Sequence, residues 1–440
     1  MFVHLSDIHF GQEQNGGEVV INDDARERLI DDAARVMKVV GKELAGIIVT
    51  GDVAYSAKPE QYVEAGKWLD RLAERLGGAI YEIQMIPGNH DIDRGEISGA
   101  TEWMLNEVTT KGEEALNKIL DDEGDRTRLY RRFHAYRDFA IGYRCPLDFT
   151  GSMSTDFRVT LAPDRALRFV RLNSALACSK RDDEGKLILG ARQRTIPIQP
   201  GEETIVLTHH PLNWFQDSDD AKNYLRGRAR VLISGHEHYP SLKIDPVEEY
   251  SHLMLLAAGA TTPDEKSDRY TYKYNILEFA WDERDDALAV TIHPRTWNDN
   301  LKRFEEDTQF LEGRSATTIL PSPNFRDAPC VAQAAVATEA RAPSRPEIET
   351  VVNPISGGDE PVVTPSTDEK LLQLRFFRDL TEGERLKTLL ALRAIPDDLS
   401  ETLDHEMERR LFVGVFKKGL GEELKARVTE ILASRKGQGE

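Results

Sequence analysis

The sequence predicts an α/β protein in which layered sheets are flanked by helices and a small all-helical unit follows at the C-terminal end. Three features predict it. Short, β-branched apolar runs recur through residues 1–315, each ending in a polar cluster. Helical stripes separate the first of these runs, whereas later runs follow one another closely, as a sheet sandwich requires. A tract at 316–366 holds eight of the chain's 20 prolines and divides this unit from a capped helical stretch at 367–440.

Buried strands of about four residues are expected at 2–5, 47–49, 83–86, 205–207 and 231–233, with further strands at 157–161, 167–172, 253–257, 272–279 and 287–293. Between the first two runs, Leu29, Ala33, Val36, Met37 and Val40 mark one face of a helix. Between the second and third, residues 59–76 open on Pro59 and stop before Gly77-Gly78, which suits helix entry and exit. Residues 95–150 interrupt this rhythm as a helical insertion expected to cap the site. Within it, 126–144 carries six arginines and one acid, Asp138, interleaved with Tyr130, Phe133, Tyr136, Phe139 and Tyr143. Two readings stand: a substrate-facing surface using Arg131, Arg132 and Tyr136, or an amphipathic helix with buried rings and solvated arginines. The proline-rich tract is expected to be extended and mobile. Beyond it, Ser366-x-x-Glu369 and Thr381-x-x-Glu384 are capping boxes that open helices of the last domain.

At 440 residues with 40% hydrophobic and 30% charged side chains, the chain can bury a large core. A net charge of −19 disfavours a broad nucleic-acid-coating surface, although bound metal ions can place positive charge locally where a phosphate must sit. Cys145, Cys178 and Cys330 are far apart and form no CxxC pair, which excludes a disulfide framework or thiolate zinc site and fits a reducing compartment. No basic leader or long apolar run is present, so a cytoplasmic protein without a membrane span is expected; oligomers stay open.

Chemistry concentrates at strand ends. Asp7-Ile8-His9 follows the first run, Gly51-Asp52 the second and Gly88-Asn89-His90-Asp91 the third. Thr208-His209-His210-Pro211 and Gly235-His236-Glu237-His238 follow the 205–207 and 231–233 runs. Any one of these is an ordinary loop. Together they hold six of the chain's 11 histidines, all at the end of the strands where open α/β sheets place their sites. Carboxylate and amide oxygen with imidazole nitrogen suits Mn, Fe, Zn or Ni.

The five motifs, complete and in order, resemble the signature of calcineurin-like metallophosphoesterases over roughly residues 1–300. The resemblance implies a four-layer sandwich with two central mixed sheets, and two divalent metal ions, manganese foremost. It implies that Asp7, His9 and His238 hold one ion, that Asn89, His209 and His236 hold the other, and that Asp52 bridges them. His90 would face the substrate with Asp91 orienting it, and a hydroxide held between the ions would attack phosphorus. His210 matches no required position and reads as a packed neighbour, as does His4. The opening His4–Gly11 is similar to two branches of the family, bacterial cyclic-nucleotide phosphodiesterases and exonuclease subunits of DNA-repair complexes. A diester in a nucleic acid (DNA or RNA) or nucleotide is therefore expected, ahead of a phosphoprotein or of an inactive scaffold. From Phe376-Phe377-Arg378-Asp379-Leu380 to Ile431-Leu432, the last domain resembles small death-like adaptor domains attached to effectors in bacterial conflict systems. That likeness implies a protein partner and a defence effector.

Overall fold

In the computed structural model, described over residues 1–247, 251–263, 270–326, 348–349, 365–396 and 405–436, three parallel strands open the chain. They are β1 (Phe2–Leu5), β2 (Gly46–Thr50) and β3 (Ile83–Ile86), paired β1–β2 and β2–β3. The crossovers are α1 (Gly16–Val40) and α2 (Pro59–Arg75). α1 begins earlier than the apolar stripe indicates because the Asn15 side chain accepts from the Gly17 and Glu18 amides; it stops at Gly41, whose φ of 71° breaks the helix.

A second run of strands follows: β4 (Ser154–Ala162), β5 (Arg165–Arg171), β6 (Glu202–Leu207), β7 (Val231–Ser234), β8 (Ser241–Val247) and β9 (Ser251–Ala257). The chain then returns through β10 (Lys273–Asp282), β11 (Ala287–Asn298), β12 (Arg303–Glu306) and β13 (Thr317–Leu320). A two-residue strand, β14 (Ile348–Glu349), pairs with β4. Two mixed sheets result, one ordered β12-β11-β10-β1-β2-β3 with β13 on β11, the other β14-β4-β5-β6-β7-β9-β8.

The period-two alternation of the strands divides their side chains between two cores. Phe169, Ile205, Leu207, Val231 and Ile233 of the second sheet meet Phe2, Ile48, Ile86, Leu277 and Val290 of the first. Phe2 packs 5.3 Å from Phe169 and 6.4 Å from Phe157, ring centre to ring centre, which locks the sheets face to face. The alternate residues Val170, Val206 and Leu232 point outward and are covered by Met104, Leu105, Val108, Leu116, Leu129 and Phe133. Helices of the 95–150 segment, expected as a cap, thus contribute through residues up to Phe133 an outer layer on the second sheet.

One boundary differs from the sequence expectation. The tract expected to be a linker from 316 contributes β13 and buries Leu320 and Phe325 in the inter-sheet core, so the sandwich extends to at least 326. Proline content masked these two apolar anchors. Most of the remaining tract, and Cys330, lie outside the described residues. Cys145 and Cys178 are both buried.

The chain divides into two compact units, and the second contains Arg137–Cys145 as well as Pro365–Glu440. Within it, helices at Thr367–Leu374, Glu382–Ala391, His405–Lys417 and Gly421–Lys436 surround Leu372, Phe376, Phe377, Leu389, Phe412, Val415 and Val428, and Ile141 joins that core. Both capping boxes form: Ser366 with Glu369 and Thr381 with Glu384. Buried Arg385 donates to Glu408 at 2.8 Å and Asp138 at 3.3 Å and to the carbonyls of Phe377 and Leu380. The contribution of 137–145 to this unit was invisible in the sequence, because no local pattern records a partner more than 200 positions away.

Phe169 is fully buried between the sheets against three other rings. Phe169→Ala should cost about 3–5 kcal/mol of stability, read as a fall in the urea midpoint of the intact chain. A midpoint equal to that of the native chain would show that the rings do not hold the sheets together.

Candidate metal centre

The seven predicted metal ligands, with His90 and Asp91, sit where strands of the two sheets give way to loops, and the two sheets aim these loops at each other. The turns are backbone-locked. Asp7 N donates to Gly51 O at 3.1 Å, Ile8 N and His9 N donate to Asp52 O at 2.9 and 3.0 Å, and Gly235 N donates to His209 O at 2.9 Å. The packing leaves no room for side chains at the glycines. A Cβ on Gly88 would lie 2.0 Å from Asp52 Oδ1, and one on Gly235 would lie 1.9 Å from Ser6 Oγ. Five of the seven expected ligands, Asp7, His9, Asp52, His236 and His238, have φ between 52° and 73°. Left-handed backbone at non-glycine residues costs on the order of 1 kcal/mol or more each and persists where surrounding structure imposes it.

The donor atoms fall into two groups joined by one carboxylate. In the first, His238 Nε2 lies 3.3 Å from Asp7 Oδ1, and His9 completes a set whose ligand atoms are all within 4.8 Å of one another. In the second, Asn89 Oδ1 lies 3.1 Å from His209 Nε2 and 3.0 Å from His236 Nδ1, and the two ring nitrogens are 3.2 Å apart. Asp52 Oδ2 stands 3.3 Å from His9 Nε2 and 3.3 Å from His209 Nε2, reaching one residue of each group. Asp7, His9, Asp52 and His209 are buried.

One proton count tests whether a cation fits. His209 Nδ1 lies 2.8 Å from the Thr50 carbonyl, which can only accept, so this nitrogen carries a hydrogen. In the neutral ring, Nε2 is then a bare lone pair aimed at Asn89 Oδ1, Asp52 Oδ2 and the His236 ring. Acceptors facing acceptors repel unless a proton or a cation lies among them. The titration tendencies agree. Burial opposes charge on His209, but Asp52 outweighs it and raises the imidazole to about 9. Burial likewise opposes charge on Asp7 and Asp52, yet His238 and His209 respectively hold these carboxyls below the ordinary range. Burial and then the His209 charge push His236 down to about 3. The carboxylates are thus ionised and His236 neutral, as metal ligation requires, whereas His209 has to give up a proton before its Nε2 can ligate.

His90 is half-buried at the edge of this array, its ligand atom within 4.8 Å of those of His9 and Asp52. Its backbone amide donates to Asp52 Oδ1 at 2.8 Å and its Nδ1 donates to the Tyr55 carbonyl at 2.7 Å. Asp91 accepts from the amides of Val53, Ala54 and Gly88 and from the Tyr62 hydroxyl, so it ties the second loop to the third, which carries His90. Burial raises the Asp91 carboxyl to about 6. Of the expected substrate contacts, Arg132 and Tyr136 are buried. The Arg132 guanidinium donates to the carbonyls of Leu129, Leu176 and Cys178, pinning the insertion to the loop after β5. Arg131 is exposed and paired with Glu96 at 2.8 Å. The substrate-facing reading of Arg132 and Tyr136 is therefore withdrawn.

Sequence reasoning missed four residues. Ser174 Oγ accepts from the amides of His209 and His210 (3.1 Å each) and lies 3.0 Å from His210 Nδ1, which fixes the 208–211 loop. Tyr62 braces Asp91. Tyr55 stacks on His90, and Trp214 packs against His236. For the last two a signal existed, since each aromatic lies three or four positions beyond a motif residue. His4, expected as a structural neighbour, lies beneath the centre with Nε2 3.0 Å from Thr50 Oγ1.

The fold brings potential metal ligands from both sheets together at facing strand ends. The chain belongs to the calcineurin-like phosphoesterase family, whose model matches residues 1–240. The model of the GTPase-associated adaptor domain matches residues 368–430. Among curated proteins, the chain is similar to the uncharacterized metallophosphoesterase-like protein YydB of Bacillus subtilis (strain 168), at 23% identity over 334 residues. The match takes in 70% of this chain and spans 62% of that protein's length. Among solved structures, a Vps29 mutant of Entamoeba histolytica aligns at 12% identity with a TM-score of 0.28, over 69% of this chain and 97% of that one. The NAD nucleotidase of Haemophilus influenzae aligns at 11% identity with a TM-score of 0.31, over 70% and 53%. No helix among the described residues is long and apolar enough to cross a membrane.

A cation entering the second group displaces the proton on His209, which the metal-free chain holds up to about 9. Metal affinity should therefore rise with pH from neutrality toward about 9. Calorimetry in buffers of different ionisation heat should register proton release; an affinity flat across that window would contradict this proton count.

Proposed function

We propose that the chain is a dinuclear-metal-dependent phosphodiesterase acting on nucleic acid or nucleotide. The observation that carries this reading is the single oxygen, Asp52 Oδ2, placed equally far from His9 and His209, the nearest members of two separate donor groups. In this reading Asp7, His9 and His238 hold one divalent ion; Asn89, His209 and His236 hold the other; Asp52 serves both. Manganese suits the mixed oxygen and nitrogen set, as iron and zinc do. When bound, such a pair supplies an activated water and neutralises the charge that builds on a phosphoryl group.

The protein's own groups do the rest. Asn89 contributes a neutral oxygen, which limits the negative charge facing an anionic substrate. With its Nδ1 hydrogen given to the Tyr55 carbonyl, His90 has Nε2 as its remaining proton site. Protonated there, the ring donates to a phosphoryl oxygen in the crowded transition state or to the departing alkoxide. Asp91, through Tyr62 and three amides, keeps the Asp52 and His90 loops in register. Tying them to the backbone removes reorganisation at the moment of reaction. The second unit, matched by an adaptor family, is read as the surface through which a partner protein recruits or restrains the enzyme. An effector in bacterial defence is one such setting.

His90→Asn should leave metal content unchanged and lower turnover of bis-p-nitrophenyl phosphate by roughly 100-fold or more in the manganese-loaded protein. Asp52→Asn should lose both turnover and metal. Native protein that binds metal yet hydrolyses only monoesters, such as phosphoserine, would overturn the diesterase reading.

A further inference from the structure

The contacts across the centre form a row. The Tyr55 ring lies 4.9 Å from His90, nearly parallel at 25°, and 5.8 Å from His9. His9 reaches Asp52, Asp52 reaches His209, and His209 reaches His236. The Trp214 ring then lies 4.1 Å from His236, edge to face at 85°. Asp52 stands in the middle and an aromatic ring stands at each end.

Both rings are held in place and neither is closed off. The Tyr55 amide donates to Phe10 O at 3.1 Å and its carbonyl holds His90, while the side chain keeps 36% of its surface in solvent. The Trp214 indole N–H donates to Glu237 Oε1 at 2.8 Å, and the ring is half-buried. A solvated aromatic on a rigid loop offers a flat apolar face that accepts any nucleobase, with little side-chain entropy to lose. A phosphodiester carries one nucleoside on each of two ester oxygens, and the two rings flank the two donor groups.

We infer that Tyr55 and Trp214 are base-stacking platforms, one for each nucleoside flanking the scissile phosphate, so that the centre accepts an internucleotide linkage of a single strand. The inference rests on the diesterase reading above and narrows it. A cyclic mononucleotide has one base to offer and would engage only one end of the row. A duplex keeps its bases stacked on each other and would engage neither.

The test uses manganese-loaded full-length protein and a fluorescein-labelled phosphorothioate oligothymidylate, with binding read by anisotropy. Tyr55→Leu and Trp214→Leu should each weaken binding about tenfold, within the range that base stacking supports. Trp214→Phe, which keeps a ring, should stay within about threefold of native, separating stacking from a damaged fold. Each Leu variant is then crossed with oligonucleotides made abasic on one or the other side of a central linkage. Removing the base that a ring serves should abolish the effect of removing that ring, for one side with Tyr55 and for the other with Trp214. The inference is overturned if the native protein does not bind the strand, if both Leu variants bind as native, or if every variant and abasic effect simply adds. It is equally overturned if a cyclic mononucleotide is the tighter ligand and responds to one ring alone. Ring-dependent binding of the strand together with no cleavage of its phosphodiester counterpart would leave the platforms standing and remove the diesterase reading.

Discussion

The arrangement of this protein depends on one electrostatic demand: the lone pair on His209 Nε2 faces other electron-rich atoms. Its partner nitrogen is committed to the Thr50 carbonyl, so the ring cannot turn its hydrogen toward the centre. Asn89 and His236 come from different sheets, so no local rearrangement separates the donors without parting the sandwich. A hydrogen or a cation has to occupy the gap. A proton on His209 meets the demand, and a divalent ion held by the same donors would meet it for several of them at once.

Much of the surrounding structure serves to hold that unfavourable crowd in place. The phenylalanine contacts between the sheets fix their faces, and Asp91 knots the second and third loops through four hydrogen bonds. Ser174 secures the 208–211 loop by its amides, using both of its lone pairs. The left-handed backbone at Asp7, His9, Asp52, His236 and His238 is the local strain that this framework supports. Glycine at 88 and 235 is required for the same reason, since any side chain would displace Asp52 or Ser6.

The strands and the five motifs were legible because each is a local pattern: four apolar residues and then a polar turn. The helix stripes were legible by period, although α1 begins before its stripe because Asn15, a polar cap, sets the start. What could not be read was whatever depends on distant packing. Arg132 looks like a surface cation in sequence, yet three backbone carbonyls satisfy it in the interior. Asp91 accepts from Val53 and Ala54, a tie that its place beside His90 in the sequence does not show. The proline-rich tract conceals Leu320 and Phe325 because composition averages over the two residues that matter. Segment 137–145 joins a unit formed by residues beyond 365, a relation with no trace in local periodicity.

The central claim is that two cations meet at Asp52. Diffraction from crystals grown with manganese, measured across the manganese absorption edge, tests it most directly. Two anomalous peaks are expected, one among Asp7, His9 and His238 and the other among Asn89, His209 and His236, with the Asp52 carboxylate touching both. An empty centre, or a single peak that leaves Asn89 and His236 unengaged, would contradict the account.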